Sequence, residues 1–123
     1  MRLILLFCLF SFGTYAQEIQ TKQPDTVVQT IFTTYYAKKF EGRKTTSGER
    51  YRSSKFTAAH RTLPFGTIIK VKNLHNGKTV VVRVNDRGPF SKKFALDISR
   101  AAAKALGIFN LGYARVEISY VTK

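Results

Sequence analysis

Proton-transfer chemistry has few places to reside in this 123-residue chain, which carries 7 Asp and Glu, 2 His and 1 Cys against 21 Lys and Arg. The most sharply placed carboxylate is Asp86, near the end of the run VVVRVNDRGPF (residues 80–90). Alternating β-branched residues up to Val84 predict a strand, and Gly88-Pro89 stops it. One carboxyl and the Arg87 guanidinium are thereby delivered to the lip of a rigid element, where sites are commonly built. Such an acid can exchange a proton with a reacting group. It can equally satisfy the amides of its own turn, with Arg87 as ion-pair partner. The other candidates are Glu49, His60 in FTAAHRTLP (56–64) and Asp97 in FALDIS (94–99). Taken alone, Glu49 reads as a solvated acid among bases and His60 as a hydrogen-bonded core histidine. Asp97 suits the start of the helix that follows it as well as it suits a site. No second His or Cys stands at a ligand spacing from His60, and His75 falls in a turn, so neither a metal nor another cofactor is expected.

The elements that must position these groups are mostly strands. Val27 to Tyr36 is rich in Val, Ile, Thr, Phe and Tyr. Ala37 to Arg50 follows as a long exposed loop with Gly42, Gly48 and the hydroxyls Thr45-Thr46-Ser47, and loops of that length within a domain tend to carry function. Thr67–Lys72 and Thr79–Asn85 form a hairpin across Asn76-Gly77. Ser99 caps an Ala-rich helix over residues 100–106, Gly107 ends it, and Ala114 to Val121 alternates as a closing strand. Strands with a single short helix predict a small all-β barrel, since closure removes exposed edges.

The first 16 residues differ from the rest. Arg2, the apolar run from Leu3 to Phe12, and Thr14-Tyr15-Ala16 read as a secretory signal peptide cut after Ala16. The run is too short for a membrane span, so no stable membrane anchor is expected. Residues 17–28 are assigned as a flexible lead and 29–123 as the folded domain. Cys8, the only cysteine, lies inside the leader, which excludes disulfide and thiol chemistry from the processed chain. Without Arg2, 20 basic and 7 acidic residues remain, a net charge of +13. That field favours an anionic partner. The bases are dispersed and the chain is exported, which argues against nucleic acid.

The segments TTYYAKKFEGRKTTSGERY, TAAHRTLPFGTIIKVKNLHNGKTVVVRVNDRGPF and LDISRAAAKALGI together resemble the rare lipoprotein A (RlpA) family, from about Thr30 to Val121. The resemblance implies a six-stranded double-psi β-barrel related to the barrel of expansins. It also implies a septal lytic transglycosylase, which cleaves the MurNAc–GlcNAc bond of peptidoglycan to leave a 1,6-anhydro-MurNAc end. By motif, the family's functional Glu, His and Asp fall on Glu49, His60 and Asp86. Asp86 is expected as the acid/base, His60 as the group that orients it or tunes its pKa, and Glu49 as an assisting group from the long loop. Arg87, Tyr36 and Asp97 are expected to touch substrate, with Arg87 either binding a substrate carboxylate or pairing with Asp86. Where many relatives read Ser-Trp-Tyr-Gly this chain has Thr34-Tyr35-Tyr36-Ala37, a change in the aromatic loop. The implied partner is a glycan strand in the periplasm or cell wall, met by a monomer. The alternative is an expansin-like module that binds or loosens wall polymer without cutting it.

Overall fold

A computed structural model describes residues 25–122. The expected signal peptide and most of the expected lead lie outside these residues. Six strands close into one barrel: β1 (Thr26–Tyr35), β2 (Thr57–Ala59), β3 (Ile68–Asn73), β4 (Thr79–Asp86), β5 (Leu96–Ile98) and β6 (Tyr113–Val121), in the order β1-β5-β2-β4-β3-β6. β1 runs parallel to β5 and β2 parallel to β4, while the other four pairings are antiparallel. β1 begins at Thr26, paired with Val121, so residues 26–28 belong to the barrel rather than to a lead.

Side chains that alternate along the strands fill the interior. Ile69 and Val71 on β3, Val80, Val82 and Val84 on β4, Leu96 and Ile98 on β5, and Val116 and Ile118 on β6 all point inward. The helix α1 (Arg100–Leu106) contributes Ala102, Ala103 and Leu106 to the same core. Its ends are built as the sequence predicts. Ser99 Oγ accepts from the Ala102 amide, and Gly107 takes the left-handed conformation at φ 80°. The 73–78 turn also does structural work at a distance. Asn73 and Asn76 each donate a side-chain N–H to the Leu106 carbonyl, tying the helix end to the β3–β4 hairpin.

Only the middle residue of each short strand can differ in facing. Because Leu96 and Ile98 point inward, Asp97 must point outward; because Ala58 points inward, Thr57 and Ala59 face outward. The outer side of β5, β2 and β4 is therefore a small polar floor, and residues 37–50 lie against it.

Candidate active site on the outer face of the barrel

Register brings the two key acids together. Ala59 of β2 pairs with Asp86 on one side and Asp97 on the other, so two strand spacings, about 10 Å, separate their backbones. A bulge between Ala58 and Ala59 shifts the β2–β4 pairing by one residue and sets Asn85 and Asp86 against the single residue Ala59. Bulges of this kind re-aim side chains beside sites.

Asp86 is held by three donors. Tyr36 Oη donates to Oδ2 at 2.6 Å, and the amides of Thr46 and Arg87 donate to Oδ1, each at 2.9 Å. Burial is the largest single influence on its acidity and pushes the pKa up. The hydrogen bonds from Tyr36, Thr46 and Arg87 together outweigh it and hold the carboxyl below the ordinary 3.8. Asp86 is thus ionised at rest. Asp97 is its opposite: burial first, then the negative charge of Asp86, push its carboxyl up to about 6. Among the described residues the Asp97 side chain makes no hydrogen bond, and its Oδ1 is buried without a partner. Two neighbouring carboxyls with acidities driven apart form the usual physical basis for dividing acid and base work.

Tyr36 is what orients Asp86. Its ring is 6% exposed and stacks on Tyr51 at 4.2 Å between centroids, with Phe40 edge-on at 5.9 Å. A ring buried this way has no open face on which a sugar could stack. Burial and the hydrogen bond to Asp86 drive the phenol pKa far upward, so Tyr36 stays a proton-bearing donor.

Glu49 stands at the end of the 37–50 loop and is bound from below. Arg83 donates to both its carboxylate oxygens, at 3.0 and 3.2 Å, and Asn85 Nδ2 donates to Oε1 at 2.9 Å. Arg83, then Asn85, lower its pKa below the ordinary 4.5. The hydroxyl cluster folds the loop tip: Thr45 Oγ1 donates to the Glu49 carbonyl at 2.7 Å, and Gly48, at φ 96°, closes the turn onto the Thr45 carbonyl. That turn is what presents the Thr46 amide to Asp86.

His60 and Arg87 are both engaged by the 60–65 segment. His60 Nδ1 accepts from the amides of Thr62 and Leu63, both at 3.1 Å, which fixes the neutral ring with its proton on Nε2. Burial, with Arg61 and Arg87 nearby, holds its pKa below 6.5. Backbone joins His60 to Asp86, His60 N–H donating to the Asp86 carbonyl at 3.1 Å. The Arg87 guanidinium makes no ion pair with the Asp86 carboxyl among the described residues. It donates to the carbonyls of His60 and Leu63 and lies 4.1 Å from the Phe65 ring centroid. It is a strut for the 60–65 segment, because carbonyls of that turn reach it first.

Sequence reasoning passed over Tyr51, Arg83 and Asn85 and noticed Thr46 only for its hydroxyl. The only signal for Asn85 and Arg83 is a polar residue at outward positions of an otherwise aliphatic strand. Thr46 acts through its amide, which no residue type reveals. Among the described residues no group of three His, Cys, Asp or Glu could hold a metal ion.

Comparison with known proteins identifies the family and the fold. The family model described as lytic transglycolase, a double-psi β-barrel, matches residues 28–118. The chain is 53% identical over 91 residues to the endolytic peptidoglycan transglycosylase RlpA of Haemophilus influenzae, covering 72% of this chain and 32% of that protein. It is 51% identical over 94 residues to the probable endolytic peptidoglycan transglycosylase RlpA of Treponema pallidum (76% and 30%). The RlpA of Neisseria meningitidis is 50% identical over 93 residues (76% and 39%). The chain thus spans about a third of the length of these relatives. Among solved structures, the Streptomyces papain inhibitor superposes with a TM-score of 0.64 at 23% identity, covering 82% of this chain and 100% of that one. An expansin of Clavibacter michiganensis gives 0.63 at 22% (79% and 52%). These two likenesses concern the fold. With the family model spanning the barrel and relatives at half identity, the chain belongs to the RlpA-like lytic transglycosylase family of double-psi β-barrels.

Proposed function

We propose that this domain is an exported peptidoglycan lytic transglycosylase, working in the periplasm or cell wall on MurNAc–GlcNAc bonds. The observation that carries the reading is the Asp86–Asp97 pair, two carboxyls that flank Ala59 in register, one held below the ordinary acidity range and the other raised to about 6. In lytic cleavage the C6 oxygen of MurNAc bonds to its own C1, the bond from C1 to the GlcNAc O4 breaks, and no water is added. The leaving O4 needs a proton and the C6 hydroxyl must lose one. A single carboxyl serving as acid and then base was the expectation for Asp86. The acidities favour a division instead: Asp97 gives its proton to O4, and Asp86 takes the C6 proton and faces the positive charge that develops at C1. The proton then returns from Asp86 to Asp97 between turnovers. Tyr36 and the Thr46 amide hold Asp86 in place, and Glu49 locks the loop that carries Thr46. His60 contributes through its backbone bond to Asp86 and the turn it closes.

The test is digestion of peptide-stripped glycan strands by the purified protein, Asp86→Asn and Asp97→Asn, with products identified by mass. Anhydro-ended sugars from the parent and none from either variant are expected. Strands bound but left whole by the parent would replace this reading with the expansin-like one.

A further inference from the structure

A glycan-cleaving surface needs an aromatic face on which a sugar ring can lie, and Tyr36, with its ring buried against Tyr51, does not supply one. Phe90 does: it is 81% exposed, beyond any other exposed large hydrophobic side chain of the described residues. A lone exposed apolar residue needs no explanation. What sets Phe90 apart is the hardware that fixes the loop carrying it, four residues along the chain from Asp86. One guanidinium nitrogen of Arg61 donates to the carbonyls of Pro89 at 2.6 Å, Phe94 at 3.0 Å and Ser91 at 3.3 Å, gripping the loop on both sides of Phe90. Ser91 Oγ accepts from the amides of Lys93 and Phe94 and closes that loop. Arg61 follows His60, whose amide is bonded to the Asp86 carbonyl. Gly88, at φ 123°, turns the chain in a conformation that other residues rarely adopt, with the Phe90 ring in van der Waals reach of it. The backbone of Phe90 is therefore held within four residues of Asp86, a span of at most about 14 Å.

We propose that Phe90 is the stacking platform of a sugar subsite next to the Asp86–Asp97 pair, its exposed face lying against the apolar C–H face of a pyranose in the glycan strand. The proposal rests on the glycan-cleaving reading above. Arg61 is a positioning residue that holds the platform.

The chain contains no tryptophan, so Phe90→Trp introduces a single reporter at the platform. Titrating peptide-stripped glycan strands into Phe90→Trp should shift its emission to the blue, with a Kd close to that of the parent measured by calorimetry. Phe90→Ala should bind the strands about tenfold more weakly, equivalent to about 1.4 kcal/mol, with an unchanged melting temperature because the ring is exposed. In digestion the loss should appear in KM rather than in kcat. Equal affinity of parent and Phe90→Ala, or tryptophan emission indifferent to strands that bind, overturns the platform and leaves the cleavage reading standing. Absence of binding by the parent overturns both.

Discussion

Replacing Asp97 by asparagine mimics the neutral carboxyl and removes the charge that the floor of the site resists. The folded value of about 6 against 3.8 corresponds to about 3 kcal/mol, the cost to the folded protein of carrying Asp97 ionised at pH 7. The folded state holds this proton more tightly than the unfolded chain does. Its contribution is therefore full below pH 3.8, declines as pH rises to about 6, and is flat above. Asp86 and Glu49, held below 3.8 and 4.5, act in the opposite sense and at lower pH. His60, held below 6.5, gains stability as pH rises through an overlapping range. Both proteins share these groups, so the difference between them isolates Asp97. Urea unfolding of the parent and Asp97→Asn from pH 3 to 8 should give equal stabilities near pH 3.5. At pH 7 the variant should be more stable by about 3 kcal/mol and inactive on glycan strands. Parallel curves across the range would refute the raised acidity and with it the assignment of the proton donor.

Three further outcomes follow from the same geometry. Tyr36→Phe keeps the stack on Tyr51 but removes the donor to Asp86; a hydrogen bond to a charged group is worth about 1.5–3 kcal/mol, so kcat should fall at least tenfold and the Asp86 carboxyl titrate higher by NMR. Glu49→Gln breaks an ion pair whose side chains are 48% and 40% exposed, so stability should change by less than about 1 kcal/mol while cleavage falls as the Thr46 loop loosens, measured as melting temperature against kcat. Arg87→Lys loses two carbonyl bonds and the contact with Phe65, so stability should drop by about 1–3 kcal/mol with KM unchanged; a raised KM in a folded variant would restore a substrate role for Arg87.

The barrel was legible because its evidence is local. Val80, Val82 and Val84 alternate with outward residues on β4, and Ser99 and Gly107 announce both ends of α1. Asp86 was legible too, as a carboxyl on the lip of a strand. Its surroundings were not. The bond from Tyr36 spans 50 positions and exists only because β5 and β2 intervene between β1 and β4 in the closed barrel. Asp97 looks the same in sequence whether exposed or buried, and its altered acidity comes from the floor it shares with Asp86. The partners of His60 and Arg87 were hidden for a related reason. Each has a plausible charged partner in sequence, but in the fold His60 Nδ1 takes amides and the Arg87 guanidinium takes carbonyls of the 60–63 turn.

In the proposed reaction the C6 hydroxyl attacks its own C1 without water, served by the Asp86–Asp97 pair. Digestion of peptide-stripped glycan strands in water enriched with heavy oxygen, followed by mass analysis of the new MurNAc ends, distinguishes this from hydrolysis. Anhydro ends that carry no heavy oxygen and disappear with Asp86→Asn are expected. Reducing ends labelled with heavy oxygen would mean hydrolysis and contradict the proposed reaction.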